Sequence, residues 1–295
     1  MESAKAGNTC HIDWLQFTIN RTATGDPEQE VVEEFAPILS KDYAHKDLGS
    51  VKGYDTGRRI SNGSVYWHSK IPSQKIMVVF AGYDLSKMAE TGVSQLLLLK
   101  RAVIAACRIT RLDFAIDLYD TGASPDDLLD EVQAGRARTK AHHATHIAGY
   151  TMTDKGVTKA PTVYIGAPQS DRQMRCYDKG LEQRIDRDWK RIELVTRKPL
   201  ASPLADSMLR NGIDAAGRMA VRSFADFDLD WYQKAIDDVS VEIAPHIEPK
   251  HNTRRWLINV VLPVLERESI AEQAEGGHAI GSKIKSLAAR LGRKT

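Results

Sequence analysis

The sequence predicts an α+β fold: a largely antiparallel central sheet with helices packed on one face, and a helical C-terminal portion. Two observations predict it. Segments with alternating or buried-strand character recur between residues 11 and 197, and helical periodicity interrupts them twice. Beyond Pro199 the apolar residues repeat mainly at helical spacing. We therefore predict an α+β domain over residues 1–199 and a helical, basic region over residues 200–295 that packs on it.

Each element is justified by its own pattern. The run "HIDWLQFTIN" is rich in aromatic and β-branched residues, and "KIMVVFAGY" is an apolar run ended by glycine, so both predict strands. "RITRLDFAIDLYD" alternates strictly, whereas "ASPDDLLDEVQAG" opens on Ser-Pro with early acidic residues and closes on glycine, which predicts a helix. In chain order the predicted elements are strands over 11–20 and 75–83, one helix over 85–104, a strand over 108–120, a helix over 121–135, strands over 161–166, 172–179 and 189–197, and helices over 204–221 and 254–269.

Composition indicates an intracellular globular protein. The chain has 295 residues, 42% of them hydrophobic and 27% charged, which is ordinary for a soluble protein with a substantial core. Cys10, Cys107 and Cys176 lie far apart without a CxxC pair, so neither a zinc knuckle nor a disulfide framework is expected, and a reducing cytoplasm fits. No leader and no apolar run of membrane-spanning length is present, so we expect no membrane partner.

Two acidic residues share one face of the strand "RLDFAIDLY". Alternation places Leu112 and Phe114 on the core side and Asp113 and Asp117 on the other side. The two acids are four residues apart, about 13 Å by the strand rise, so one small cation needs a carboxylate from a neighbouring strand. Glu193 in "WKRIELVTR" has the right alternation. The three acids predict a Mg²⁺ or Mn²⁺ site, and the alternative is a solvated sheet face.

A tyrosine lies between two cations in "RQMRCYDK". If this run is a strand, Arg175, Tyr177 and Lys179 share one face, and their positive field favours the phenolate and attracts phosphate. Two interpretations stay open, a tyrosine nucleophile toward DNA and a phosphate-binding strand with a stacking tyrosine. Tyr164 alternates with apolar neighbours and is predicted to be structural.

Three histidines in "AHHATH" suggest a metal site, but their spacing does not fit one. His142 and His143 are adjacent and would point to opposite faces of a strand, so they cannot share one ion. With His146 they predict a loop rich in imidazoles.

Three motifs, "RLDFAID", "YIGAPQSDRQMRCYDKGLEQ" and "WKRIEL", occur in this order and resemble the replication initiation factor family of rolling-circle initiators and related relaxases. The resemblance spans about Thr110 to Arg197. It implies a nickase that cuts one strand at a replication origin, stays covalently linked to the 5′ phosphate through tyrosine, and leaves a 3′ hydroxyl. The position that matches the family's nucleophile is Tyr177.

The resemblance also assigns roles around Tyr177. Arg175 and Lys179 hold the phosphate, and Glu182 is a candidate ligand or base. Relatives often carry an arginine shortly after the glycine that matches Gly166, and in this sequence that arginine is either missing or replaced by Arg172. The predicted DNA contacts are Arg111, Gln169, Ser170, Arg172, Arg191, Arg254 and Arg255.

The expected partners are origin DNA, a host helicase and a polymerase, with a homodimer as one option. Two other functions stay open: a non-catalytic protein of the same fold that binds an origin and recruits other factors, and a conjugative relaxase.

Overall fold

The fold is seen in a computed structural model that describes residues 7–20, 26–35, 46–51, 53–60, 62–71, 74–106, 108–153 and 156–237. The strands are β1 (Gly7–Ile19), β2 (Lys46–Asp47), β3 (Thr56–Ile60), β4 (Gly63–Trp67), β5 (Ile76–Ala81), β6 (Arg108–Tyr119), β7 (Arg138–Thr139), β8 (Ala144–Thr153), β9 (Gly156–Ile165), β10 (Arg172–Asp178), β11 (Trp189–Arg197) and β12 (Ala225–Asp226). The helices are α1 (Pro27–Phe35), α2 (Gly82–Glu90), α3 (Gln95–Ala105), α4 (Pro125–Gln133), α5 (Lys179–Gln183), α6 (Ala201–Asn211), α7 (Ile213–Phe224) and α8 (Asp230–Asp237).

Ten strands form one sheet in the order β2-β3-β4-β5-β1-β6-β11-β10-β9-β8. Every strand pair in the described residues is antiparallel. The long strands β1, β6, β11 and β10 occupy neighbouring central positions, so side chains from distant parts of the sequence meet there. The predicted α+β fold with an antiparallel sheet is confirmed.

One face of the central strands packs against helices and forms the core. Leu112, Phe114 and Ile116 of β6 are fully buried. Helix α7 approaches β6 so closely that a Cβ atom at Gly217 would overlap the ring of Phe114. Glycine is required at this position because a larger residue would push the helix off the sheet.

The predicted helix over 85–104 is two helices. The chain turns between Glu90 and Gln95, where Gly92 adopts a φ of +80°, a left-handed conformation that suits glycine and ends α2. A glycine likewise separates α6 from α7, where Gly212 has a φ of +87°. Local apolar spacing continued through both breaks, so periodicity alone did not show them.

The helices after residue 200 pack on the sheet. Helix α6 contacts β6 and β11, and α7 contacts β1 and β10. The predicted helix over 254–269 lies outside the described residues, so the helical, basic region over 200–295 stays a prediction beyond residue 237.

The elements that the sequence did not predict include α1, the hairpin β3-β4 and the edge strand β8. Strand β8 pairs with β9 from Ala144 to Thr153, and it includes His146, which had been expected in a loop. Its register places His146 opposite Val163 and close to Asp126 at 3.7 Å. None of the helices in the described residues has the length and apolar character of a membrane-spanning helix.

Candidate active site

A polar face lies on the side of the central strands opposite α6 and α7. We define this polar face by Asp113, Asp117, Arg175, Tyr177, Arg191 and Glu193. Register brings the residues together, because Arg175 lies opposite Glu193, Tyr177 opposite Arg191, and Arg191 opposite Asp117. Alternation predicted which residues share the face, and the strand pairing determines which of them are neighbours.

Tyr177 lies at the centre of the polar face and is 8% exposed. Its ring has a cation on each side: the Arg175 guanidinium carbon is 5.3 Å and the Lys179 Nζ is 5.8 Å from the ring centroid. The phenol donates to Glu193 Oε2 at 3.5 Å, a long hydrogen bond. The predicted arrangement of a tyrosine between two cations is present, with a carboxylate beneath the hydroxyl.

The cations near Tyr177 lower the pKa of its phenol as predicted, but burial outweighs them. Burial raises the pKa of Tyr177, the charge of Glu193 raises it further, and Arg191 and Arg175 lower it only in part. The pKa therefore lies above its ordinary value, and Tyr177 is a neutral phenol at physiological pH. The positive field was predicted from strand neighbours alone, without the desolvation that a central strand imposes.

Each of the three predicted metal ligands pairs with an arginine. Arg175 Nη2 donates to both oxygens of Glu193 at 2.6 Å, and Glu193 is 0% exposed. Arg111 donates to both oxygens of Asp113 at 3.0 Å. Their carboxylates are therefore neutralised by protein groups.

Asp117 belongs to a buried network. Arg191 donates to its two oxygens at 2.7 and 2.9 Å, and Trp189 Nε1 donates to Oδ1 at 2.7 Å. Arg191 is 5% exposed and also donates to Asp13 at 2.7 Å. Arg191 was a predicted DNA contact, and here it is a buried ion-pair residue.

The acids do not form a ready metal site. Carboxylate oxygens suit Mg²⁺ or Mn²⁺, but no group of three or more His, Cys, Asp or Glu side chains in the described ranges is arranged to hold a metal ion. Asp113, Asp117 and Glu193 would each have to leave an arginine partner to bind one. The residues as placed therefore do not fit a bound cation, and the Mg²⁺ or Mn²⁺ requirement stays a prediction.

The carboxylates nevertheless repel one another. Burial raises the pKa of Asp113 to about 7. The bonds from Arg111 lower this pKa, whereas the charges of Glu193 and Asp13 raise it. Burial also raises the pKa of Glu193, which Asp13 raises further and Arg175 lowers. Protons therefore bind to this face more readily than to exposed carboxylates.

Lys179 differs from its predicted position. Strand β10 ends at Asp178, whose side chain accepts from Leu181 N at 2.8 Å and caps the short helix α5. Lys179 is the first residue of that helix, where it pairs with Glu182. The cation still reaches the Tyr177 ring, but it does so from the start of α5 rather than from the strand.

Tyr164 lies closer to the site than its sequence neighbours indicated. On β9 it is directly opposite Arg175, while Thr162 is opposite Tyr177. The two tyrosines are thus diagonal neighbours on one face. The chain neighbours of Tyr164 are apolar, but the next strand brings the cation of Arg175 beside it. Both tyrosines line a pocket of about 250 Å³ with Ala160, Pro161, Thr162, Arg175, Asp178 and Glu182.

The remaining predicted DNA contacts are divided in space. Gln169 is exposed in the turn between β9 and β10, and Ser170 is partly exposed. Arg172 lies on the other side of the sheet, where it stacks over Phe224 at 5.0 Å and bonds Ser223. Arg172 is therefore not beside Tyr177 on the polar face, and its phosphate contact stays a prediction. Arg254 and Arg255 lie outside the described residues.

Strand β1 contributes two polar residues that the analysis missed. His11 lies 3.6 Å from both Asp13 and Asp117. The register against β6 jumps between Ile12 and Trp14, and this β-bulge brings Asp13 to Arg191. Alternation in "HID" could have indicated His11 and Asp13. The bulge itself has no clear signal in the sequence.

The first two histidines of "AHHATH" lie away from Tyr177. His142 and His143 line a cavity of about 330 Å³ together with Lys140, Gly166 and Arg172, among others. Within the described ranges they take part in no group of three or more His, Cys, Asp or Glu side chains that could hold a metal ion.

Comparisons with known proteins bear on the whole arrangement. Residues 107–240 match the family model described as replication initiation factor. The chain is 23% identical over 192 residues to a candidate DNA relaxase, NicK, of Bacillus subtilis (strain 168); the match covers 57% of this chain and 54% of that protein. The chain therefore spans about half the length of this curated relative.

A solved structure shares the fold. The rolling circle replication initiator protein from Geobacillus stearothermophilus superposes with a TM-score of 0.62 at 24% identity, over 75% of this chain and 87% of that one. The matched family segment contains β6, β9, β10 and β11, the strands that carry most of the polar face.

Proposed function

We propose that the protein is a rolling-circle replication initiator that nicks one DNA strand at an origin, because residues 107–240 match the family model described as replication initiation factor. Tyr177 is the proposed nucleophile, and the nick leaves a 5′ phosphotyrosine bond and a free 3′ hydroxyl. The observation that carries the proposal is the Tyr177 phenol, which lies between Arg175 and Lys179 and donates to Glu193 at 3.5 Å.

The cations beside Tyr177 suit a phosphodiester. Arg175 and Lys179 both lie within 6 Å of the centroid of the Tyr177 ring, and Arg175 also lines the pocket beside it. A guanidinium offers several donors in one plane, and an ammonium adds a mobile point charge. Phosphoryl transfer depends on holding the phosphate and neutralising the charge that develops on its oxygens. We assign that role to these two residues.

The raised pKa of Tyr177 makes a proton acceptor necessary. Glu193 is within reach of the hydroxyl, and a hydrogen bond that is long in the free protein shortens when substrate binds. In the proposed step the Tyr177 oxygen bonds to phosphorus and its proton passes to Glu193. The bond from phosphorus to the 3′ oxygen breaks, and water supplies the proton of the new 3′ hydroxyl. Glu182, the base proposed from the sequence, pairs with Lys179 and orients it.

The substrate and partners follow as proposals. An initiator needs an exposed single strand at its nick site, as in a hairpin, and then a helicase and a polymerase that extends the 3′ end. A relaxase would use the same nick to start transfer, so the site by itself serves either role. Arg254, Arg255 and the rest of the basic C-terminal region are the proposed origin-reading part.

The experiment is a cleavage assay on denaturing gels. The full chain is incubated with end-labelled single-stranded oligonucleotides tiled across its own replicon, in Mg²⁺ or Mn²⁺, beside the Tyr177→Phe variant. We expect a protein-DNA adduct that survives SDS, and a loss of at least about a thousandfold in its rate on removal of the hydroxyl.

Tyr150→Phe is the matched control, since Tyr150 is 66% exposed on the edge strand β8. It should react like the unaltered protein. Tight, sequence-specific binding without any adduct would instead support the non-catalytic origin-binding protein, and an adduct that persists in Tyr177→Phe would reject the assigned nucleophile.

A further inference from the structure

A further cationic residue lies at the end of the polar face distant from Tyr177. Arg197 is the last residue of β11 and pairs in register with Arg111 of β6. Two like charges directly opposite each other destabilise an antiparallel pair. The sequence nonetheless places two arginines there.

The protein balances only one of these charges. Arg111 donates to both oxygens of Asp113 and stacks over Trp14 at 4.4 Å, so it is fixed and neutralised. Arg197 forms no ion pair with any described residue. Its Nη1 donates to the Ser170 carbonyl at 3.1 Å. This bond satisfies one N–H donor but does not neutralise the positive charge.

The surroundings of Arg197 favour an anion. Burial lowers the pKa of Arg197, and the charges of Arg111 and Arg175 lower it further. The charge of Asp113 raises this pKa, but it does not offset the other effects. Partly buried positive charge without a counterion is costly, and a bound anion would relieve it. The remaining donors of Arg197 are arranged in the plane that suits a phosphate.

The distance to the proposed reaction centre suits one DNA strand. Arg191 lies opposite Tyr177, and Arg197 is six residues further along β11. The strand rise makes that separation about 20 Å. One strand of B-form DNA has a phosphate about every 3.4 Å along the axis, so the separation corresponds to at most about six nucleotides, and to fewer in a stretched strand.

From the unbalanced charge of Arg197 and its position, we propose that Arg197, beside the fixed Arg111, binds a second phosphate of the same DNA strand that presents its scissile phosphate to Tyr177. This rests on the proposed function. It assigns to the strand a path along β11, toward the turn that carries Gln169 and Ser170. The other explanation of Arg197 is structural, since its bond to Ser170 also holds that turn.

The test measures binding without cleavage. Arg197→Gln is made in the Tyr177→Phe background, and affinity is measured for nick-site oligonucleotides that each carry one neutral methylphosphonate within six positions of the nick. With Arg197 present, we expect one position at which the methylphosphonate weakens binding at least about tenfold. In Arg197→Gln that position should lose its effect. The slope of log affinity against log salt should also fall in magnitude by about 0.7, the value for one phosphate on a single strand.

Two further variants separate contact from structure. Arg197→Lys keeps the charge and should keep the sensitive position. Arg210→Gln, at an exposed arginine on α6 away from the polar face, should change neither readout. If Arg197→Gln weakens the binding of every oligonucleotide equally and the sensitive position stays sensitive, the phosphate contact is overturned. Arg197 would then have only the structural role.

The adduct assay tests the proposed function separately from this phosphate contact. A chain with native Tyr177 that forms no adduct would contradict the nickase, whereas the methylphosphonate result depends only on bound DNA.

Discussion

Replacing Asp113 by asparagine should remove a pH dependence from the stability of the fold. Asp113 is 1% exposed, and burial is the main cause of a pKa of about 7 instead of the ordinary 3.8. A pKa that is higher in the folded than in the unfolded chain means that the folded state holds the proton more tightly. Stability from this group is therefore complete below about pH 4 and is lost as pH rises through 7.

The magnitude follows from the two pKa values. One pKa unit corresponds to about 1.4 kcal/mol, so the ionised form of Asp113 costs the folded state about 4 kcal/mol over the full range. Between pH 5 and pH 8 the change is about 2.5 kcal/mol. The free energy of unfolding of the unaltered protein should fall by this amount relative to Asp113→Asn, whose side chain does not titrate.

Urea unfolding followed by tryptophan fluorescence at pH 5, 6, 7 and 8 measures the difference. Asp228→Asn, at an exposed aspartate, is the matched control and should track the unaltered protein at every pH. A difference between Asp113→Asn and the unaltered protein that stays constant from pH 5 to pH 8 would refute the reasoning. It would show that the bonds from Arg111 keep the carboxylate ionised throughout.

Three further predictions concern the same sheet. Arg191→Met should lower the free energy of unfolding by about 3–5 kcal/mol, because Asp117 stays buried without its ion-pair partner. Urea unfolding measures this loss, with Arg210→Met as the control. A loss below about 1 kcal/mol would contradict the buried network. Gly217→Ala should lower the free energy of unfolding by about 1–3 kcal/mol, because the added methyl group overlaps the ring of Phe114. Urea unfolding measures this loss too, and an unchanged urea midpoint would show that α7 can shift freely. Removal of divalent cations with EDTA should leave the melting temperature unchanged, because arginines already neutralise the three acids. Nicking in the same samples tests the Mg²⁺ or Mn²⁺ requirement, which would be supported by activity lost in EDTA and restored by Mn²⁺.

The period of two along single strands predicted much of the polar face. It placed Asp113, Asp117 and Glu193 on one side, with Arg175 and Tyr177 beside them, because each alternation is a local property of its own strand. It could not pair Asp117 with Arg191 or Glu193 with Arg175. Those partners are set by the register between strands far apart in sequence, which no local pattern specifies.

The errors arise where a strand ends or changes register. Lys179 was counted on β10, but the Asp178 cap ends the strand one residue earlier. Arg172 is predicted from the family motif to contact phosphate, although alternation along β10 places it on the helix side of the sheet, over Phe224. Tyr164 was judged by its chain neighbours, whereas its cation lies across the sheet. The raised pKa of Tyr177 was missed because burial of a central strand depends on the whole fold.

The central claim is tested most directly by locating the DNA-linked tyrosine. The adduct formed by the unaltered chain is digested with trypsin and nuclease, and the modified peptide is identified by mass spectrometry. Trypsin places Tyr177 in the peptide 176–179 and Tyr164 in the peptide 160–172, so the two neighbours on the polar face are separated. We expect a nucleotide on Tyr177 in peptide 176–179. A nucleotide on Tyr164, with Tyr177 unmodified, would contradict it.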